Sequence, residues 1–238
     1  MFRMFEKPRI AILFCGLAAS LLVPCCSFGQ TLALDSTTGL QPHGVVMTAV
    51  TYQGRKAVQV NSVREADAAF AASPIGTGGG IVVLPGISFH NGTIDIDVTG
   101  KPGAGASGDA RGFVGIGFRL APDQSKYDCV YIRPTNGRAD DQLRRNHSTQ
   151  YSAVPDYDWQ RLRTESPGVY ESYVDLVPGD WTHLKIEVNG VKMRLYVNGA
   201  SQPTLLVNDM KHGDTTGGIA LWIGTGSEAH FSNLRITP

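Results

Sequence analysis

Two aspartates one residue apart are the first candidates for chemistry in this 238-residue chain. Asp95 and Asp97 fall on the polar side of an alternating run in which Ile94, Ile96 and Val98 form the other side. In a strand, that spacing sets the two carboxylates roughly 6–7 Å apart. Carboxylates at such a separation suit general acid and base work on a glycosidic bond, although a solvated sheet face would read the same way. The run continues Val98-Thr99-Gly100, without the second acid of the Glu-x-Asp-x-x-Glu strand that many glycanases carry. His147 is the only histidine in the densest polar block, residues 133–147. It is therefore the single best general base or acid, and a structural histidine is the alternative.

Around these stand side chains suited to holding a sugar: Arg119, Tyr131, Arg133, Asn136, Arg138, Asp141, Trp159 and Trp222. Aromatic faces cover the C–H patches of a pyranose, and planar polar groups bond its paired hydroxyls. Gly115 and Gly117 alternate with Val114, Ile116 and Phe118, and strand glycines often mark the close approach of a ligand or another backbone. The expected working surface is one concave sheet face carrying Asp95, Arg119 and Arg133 beneath the stretch 134–167. That stretch shows no strand period and is read as a folded functional loop. Trp222 as core and Asp141 as a loop-holding ion-pair partner are the plainer alternatives.

Other signals fail. Residues 103–108 spell a Gly-x-Gly-x-x-Gly pattern, but a strand follows, so no helix N-terminus is there to hold a pyrophosphate. The six histidines never fall at an i, i+4 metal spacing. No cofactor is expected, and calcium held by Asp140 and Asp141 is the one cation left open.

The elements that must position these residues are short strands. Alternation marks 93–98, 113–119, 127–133 and 182–188, with further strands at 191–197, 218–223 and 230–236. Asn189-Gly190 between two such runs signals a hairpin. A short helix is expected over 66–72, and connectors over 73–80 and 100–108. Strands without intervening helices predict an all-β sandwich.

The chain opens with Arg3, Lys7 and Arg9, an apolar run over 10–23 and Pro24. This is the pattern of a secretory signal peptide spanning 1–29, too short for a membrane span. An uncleaved anchor and a lipoprotein signal are the alternatives; Pro24 before Cys25 does not fit a lipobox. Loss of the leader leaves Cys129 as the sole cysteine, so no internal disulfide is expected in a single domain over 30–238. The formal net charge is zero, which argues against nucleic acid and anionic membrane as partners. A secreted or periplasmic monomer whose partner is a carbohydrate is expected.

Longer motifs carry a resemblance. They are Tyr127-Asp128-Cys129-Val130-Tyr131-Ile132-Arg133-Pro134-Thr135-Asn136, then Gln150-Tyr151, then Pro155-Asp156-Tyr157-Asp158-Trp159-Gln160-Arg161-Leu162-Arg163. Pro167-Gly168-Val169-Tyr170-Glu171 and Trp222-Ile223-Gly224 with Phe231-Ser232-Asn233-Leu234-Arg235-Ile236 complete them. Over 85–236 the chain resembles secreted bacterial proteins grouped with the 3-keto-disaccharide hydrolase domain family, often labelled family 16 glycoside hydrolase-like. The resemblance implies a concanavalin A-like or laminin G-like jelly-roll sandwich of two antiparallel sheets. It also implies a hydrolase or lyase acting on a glycoside, including a 3-keto-glycoside. A non-catalytic lectin-like or laminin G-like adhesion domain is the alternative.

Overall fold

The computed structural model describes residues 29–63 and 79–238. Nearly all of the leader expected over 1–29, the helix expected over 66–72 and most of the connector expected over 73–80 lie outside the described residues. No described helix is long and apolar enough to cross a membrane.

Fifteen strands are described: β1 (Gln30–Leu32), β2 (Gln41–His43), β3 (Val45–Tyr52), β4 (Arg55–Ser62), β5 (Gly80–Phe89), β6 (Gly92–Pro102), β7 (Val114–Leu120) and β8 (Tyr127–Ile132). They continue with β9 (Thr149–Val154), β10 (Glu171–Ser172), β11 (Thr182–Asn189), β12 (Lys192–Val197), β13 (Leu205–Val207), β14 (Gly217–Ile223) and β15 (Ser227–Thr237). A 3-10 turn (Pro134–Asn136) and two short helices, α1 (Gln142–Asn146) and α2 (Trp159–Glu165), lie between β8 and β10. All pairings are antiparallel. One sheet runs β13-β12-β11-β6-β15-β4-β3, with β1 also on β15; the second runs β10-β9-β8-β7-β14-β5-β2. This is the expected all-β, two-sheet sandwich, and strands before residue 85 contribute to both of its sheets.

Period-two alternation explains the layering. In the first sheet Ile94, Ile96 and Val98 of β6 and Leu184, Ile186 and Val188 of β11 turn inward. They meet Val114, Ile116 and Phe118 of β7, Val130 and Ile132 of β8, and Ile219 and Leu221 of β14 from the second sheet. The β11–β12 hairpin forms, but Asn189 pairs with Lys192, so Gly190 and Val191 are its loop and Gly190 sits at a φ of +56°.

Two sequence expectations are corrected by this layering. Consecutive strands β6 and β7 belong to different sheets, so inward Ile94, Ile96 and Val98 oblige Asp95 and Asp97 to face away from the sandwich. There they join an ion-pair cluster: Asp97 with Arg55 at 2.7 Å and His183 at 3.0 Å, Asp95 with His183 at 3.5 Å and Arg235 at 3.8 Å. Arg119 also leaves its expected face. The register of β14 against β7 passes from Gly218↔Leu120 to Ile219↔Phe118, which makes Arg119 the extra residue of a bulge, at a φ of +54°. Its buried guanidinium donates to the carbonyls of His90, Gly190 and Gly213 and to Asn91 and Asp214. It ties loops together at one end of the sandwich. The single face of Asp95, Arg119 and Arg133 does not form.

The stretch 134–167 is not one loop. It contains both helices and β9, whose six residues are all buried. Strands β7 and β8 are buried as completely, but Thr-Gln-Tyr-Ser-Ala-Val places polar side chains on both faces of β9, so no apolar alternation is there to read.

Candidate functional site

The site is built on the outer face of the second sheet, where β8 ends and the helices begin. One row crosses this face through paired residues: Gln150 of β9, Tyr131 of β8, Gly115 of β7 and Trp222 of β14. A Cβ at Gly115 would run into the Val130 carbonyl and the Tyr131 backbone. Its absence lets the Tyr131 and Trp222 rings meet across the strand, with centroids 4.5 Å apart. Phe113 reaches the Tyr131 ring edge-on at 6.3 Å. These rings, with Trp159, Ser152, Gly224 and Thr225, line a recess of about 160 Å³.

Beside the recess lies a larger cleft of about 540 Å³, and the two share Phe113 and Trp159. Its other lining residues are Asp109, Arg111, Arg133, Asn136, Asp141, Leu143, Arg144, His147 and Arg163. Both helices serve it. Asp141 caps α1 by accepting from the Arg144 amide at 2.9 Å, and Asp158 caps α2 by accepting from the Arg161 amide at 2.7 Å. Helix α1 thereby presents Leu143 and Arg144 and hands the chain to His147. Helix α2 presents Trp159 and, one turn on, Arg163, whose guanidinium lies 4.7 Å from the Trp159 ring centre.

Arg133 is the hub. Its Nη1 donates to the His147 carbonyl at 3.0 Å and to Glu171 Oε1 at 3.2 Å, and its Nη2 to Tyr131 Oη at 3.2 Å and Gln150 Oε1 at 3.0 Å. Asn136 Nδ2 donates to the same His147 carbonyl at 3.0 Å. The Glu171 carboxylate is buried behind the cleft. It takes Arg163 through both oxygens, with Nε at 2.9 Å from Oε2 and Nη2 on Oε1. Its Oε2 also stands 3.5 Å from His147 Nε2. Burial pushes the His147 pKa below its ordinary value; Glu171 opposes that shift, while Arg163 and Arg133 reinforce it. The imidazole is thus neutral at neutral pH and able to accept a proton. Burial also lowers Arg111, and the positive charges of Arg144 and Arg133 add to that effect. Burial pushes the Tyr131 hydroxyl up to about 12.

Of the residues expected from sequence, the fold gathers His147, Arg133, Asn136, Asp141 and Trp159 at the cleft, and Tyr131 and Trp222 at the adjoining recess. Asp95, Asp97 and Arg119 lie elsewhere, as described. Arg138 is exposed and bound to Asp175 at 2.7 and 2.8 Å, and it is not among the residues lining the cleft. Sequence reasoning passed over Glu171, Gln150, Arg111, Arg144, Arg163 and Phe113. Glu171 sits in a two-residue strand with no period to betray it; only the Pro-Gly-Val-Tyr-Glu motif pointed there. No group of three or more His, Cys, Asp or Glu side chains that could hold a metal occurs among the described residues. One Asp141 oxygen, considered for calcium together with Asp140, is committed to the helix cap.

Residues 49–237 match the family described as the 3-keto-alpha-glucoside-1,2-lyase-like domain. No curated protein matches the sequence. Among solved structures, the carbohydrate-binding module CBM66 from Bacillus subtilis is 16% identical, covering 84% of this chain and 96% of its own, at a TM-score of 0.52. A Bacillus subtilis protein with a galectin-like fold is 11% identical, covering 87% and 94%, at a TM-score of 0.56. A Bacillus licheniformis beta-glucanase is 13% identical, covering 88% and 98%, at a TM-score of 0.44. At such identities the likeness to the first two is one of fold, the jelly-roll sandwich.

Proposed function

The chain belongs to the 3-keto-alpha-glucoside-1,2-lyase-like family, and on that premise we propose that the cleft binds a glycoside oxidised at C3 and breaks its glycosidic bond by elimination. The observation that carries this reading is the His147 imidazole in the cleft, held neutral by burial and backed by the Glu171 carboxylate at 3.5 Å. A C2 proton next to a ketone is acidic enough for a neutral imidazole to take. The electron pair moves onto the carbonyl oxygen as an enolate, then returns to form the C1–C2 double bond and expel the C1 substituent. The imidazolium gives its proton to the departing oxygen, so atoms and charge balance. Glu171 steadies the imidazolium in between. Arg163 spends Nε and Nη2 on Glu171, which leaves its Nη1 as a donor for the enolate. The aromatic recess of Tyr131, Trp159 and Trp222 offers the apolar contact for a second sugar ring. The leader over 1–29 supports export to the periplasm or beyond as the setting for this reaction.

The test is a panel of 3-keto-glycosides and ordinary glycosides, followed by the ultraviolet absorbance of the conjugated product. Turnover is expected on the 3-keto members alone. His147→Gln should lower kcat by about 10²–10⁴-fold with binding retained. Saturable binding of intact glycosides without turnover of any 3-keto member would replace this reading with that of a carbohydrate-binding module.

A further inference from the structure

The elimination needs one base, one carboxylate behind it and one donor to the enolate, and His147, Glu171 and Arg163 fill those places. The cleft holds more cations than that. Arg111 and Arg144 also line it. Arg144 gives Nε to Asn136 Oδ1 at 3.0 Å and Nη2 to Thr135 Oγ1 at 3.2 Å, and has no carboxylate within ion-pair distance among the described residues. Arg111 gives Nη1 to the carbonyls of Gly108 and Ala110. Its one acidic neighbour, Asp109, is 3.6 Å from Nη2 and 98% exposed, where water screens it.

Neither arginine is bonded to Glu171, the carboxylate behind the base. The cations that act on His147 are Arg163 and Arg133, whereas those that act on Arg111 are Arg144 and Arg133. Arg133 is common to both. Summed over the cleft, Arg111, Arg133, Arg144 and Arg163 oppose Asp109, Asp141 and Glu171. With His147 neutral, one positive charge is left over. That surplus belongs to the cleft as a whole, where Arg111 and Arg144, neither in a close carboxylate pair, keep unused N–H groups. Two like charges brought together in a partly buried cleft repel each other, and a bound anion relieves that repulsion.

We propose that Arg111 and Arg144 form a subsite for a singly charged carboxylate on the sugar, so that the cleft prefers an acidic glycoside, a uronoside, to its neutral counterpart. This rests on the cleft being the sugar site. A carboxylate matches the leftover charge and the planar guanidinium edges. A phosphate monoester, close to doubly charged at neutral pH, exceeds that charge.

Calorimetric titration of the wild-type protein with methyl α-glucoside, methyl α-glucuronoside, the 6-sulfate and the 6-phosphate tests the assignment. The glucuronoside is expected to bind about tenfold or more tightly than the neutral glucoside, with a preference that shrinks as salt rises. In Arg111→Gln and Arg144→Gln that ratio is expected to fall below about threefold, with folding checked by thermal unfolding. The wild-type comparison stands even where a variant does not fold. Equal affinity for glucoside and glucuronoside overturns the acidic subsite and leaves the sugar site standing. Tighter binding of the sulfate or phosphate ester overturns the choice of carboxylate. Binding of none of the four overturns this inference, and absence of turnover on the 3-keto panel as well overturns the sugar site on which it rests.

Discussion

Glu171 shows how one buried charge organises a cleft. Its side chain is 3% exposed and is shared among Arg133, Arg163 and His147. Arg133 is itself buried and spends its other Nη donors on Tyr131, Gln150 and the His147 carbonyl. Removing the negative charge leaves the buried Arg133 guanidinium without its partner and beside the part-exposed Arg163, and breaking a buried pair from one side is costly. Glu171→Gln is expected to lose about 3 kcal/mol of unfolding free energy in urea. A loss under about 1 kcal/mol would show that water reaches these arginines and that the cluster does not depend on Glu171. At this scale the sequence was half legible. The polar density of 133–147 and the pairing of aromatic with guanidinium side chains pointed to Arg133, Tyr131 and His147. Nothing local could attach Glu171, nearly forty positions further on, to Arg133.

The elements decide what the cleft can present. Helices α1 and α2 have five and seven residues, too few to be stable alone, so their caps and their packing hold them. Leu162 is the buried residue of α2 and anchors it to the core. Asp158→Ala deletes the cap and is expected to cost about 1 kcal/mol. Because α2 carries Trp159 and Arg163, the same change should weaken sugar binding before it unfolds the domain. Chemical denaturation and ligand titration on one sample check this; unchanged binding would mean that packing alone positions α2. Half-covered strands were readable from alternation, as β6, β11 and β12 show. Strand β9 was not, since Thr149 on one face and Gln150 and Ser152 on the other break any apolar alternation, although all six residues are buried. The Arg119 bulge was also invisible, because a register shift belongs to two strands together.

Across the whole molecule, two buried groups set opposing responses to pH. Burial raises Asp128 from 3.8 to about 6, although Tyr151 donates to it at 2.5 Å. The native state thus holds that proton more tightly than the unfolded chain. Its contribution to stability is full below about pH 4 and is lost as pH rises through 6. His230 stacks on Tyr52 at 3.8 Å, bonds Thr99 at 2.9 Å, and is lowered by burial from 6.5 to about 4. Its contribution is present above pH 6.5 and is lost as pH falls toward 4. Each is worth on the order of 3 kcal/mol, and between pH 4 and 6 they offset one another. Relative to wild type, Asp128→Asn should lose stability more steeply on acidification from pH 6 to 4, and His230→Gln less steeply. Urea unfolding at pH 4.5 and pH 7 measures both slopes, and parallel slopes in all three proteins would refute the assignment.

The amino-acid sequence by itself determined the alternation of the half-covered strands, the all-β class and the sugar-suited residue types around Arg133. Those depend on neighbours along the chain, and local patterning records them. The tertiary structure decided which carboxylate meets His147. Asp95 and Asp97 looked like a pair because they share a strand face, yet the outer side of the first sheet takes them away from the cleft. Glu171, with no pattern of its own, arrives beside His147 because β10 pairs with β9 and β9 with β8. Strand order across a sheet is set by where each apolar face can be buried, a property of all the strands at once and of no single stretch of chain.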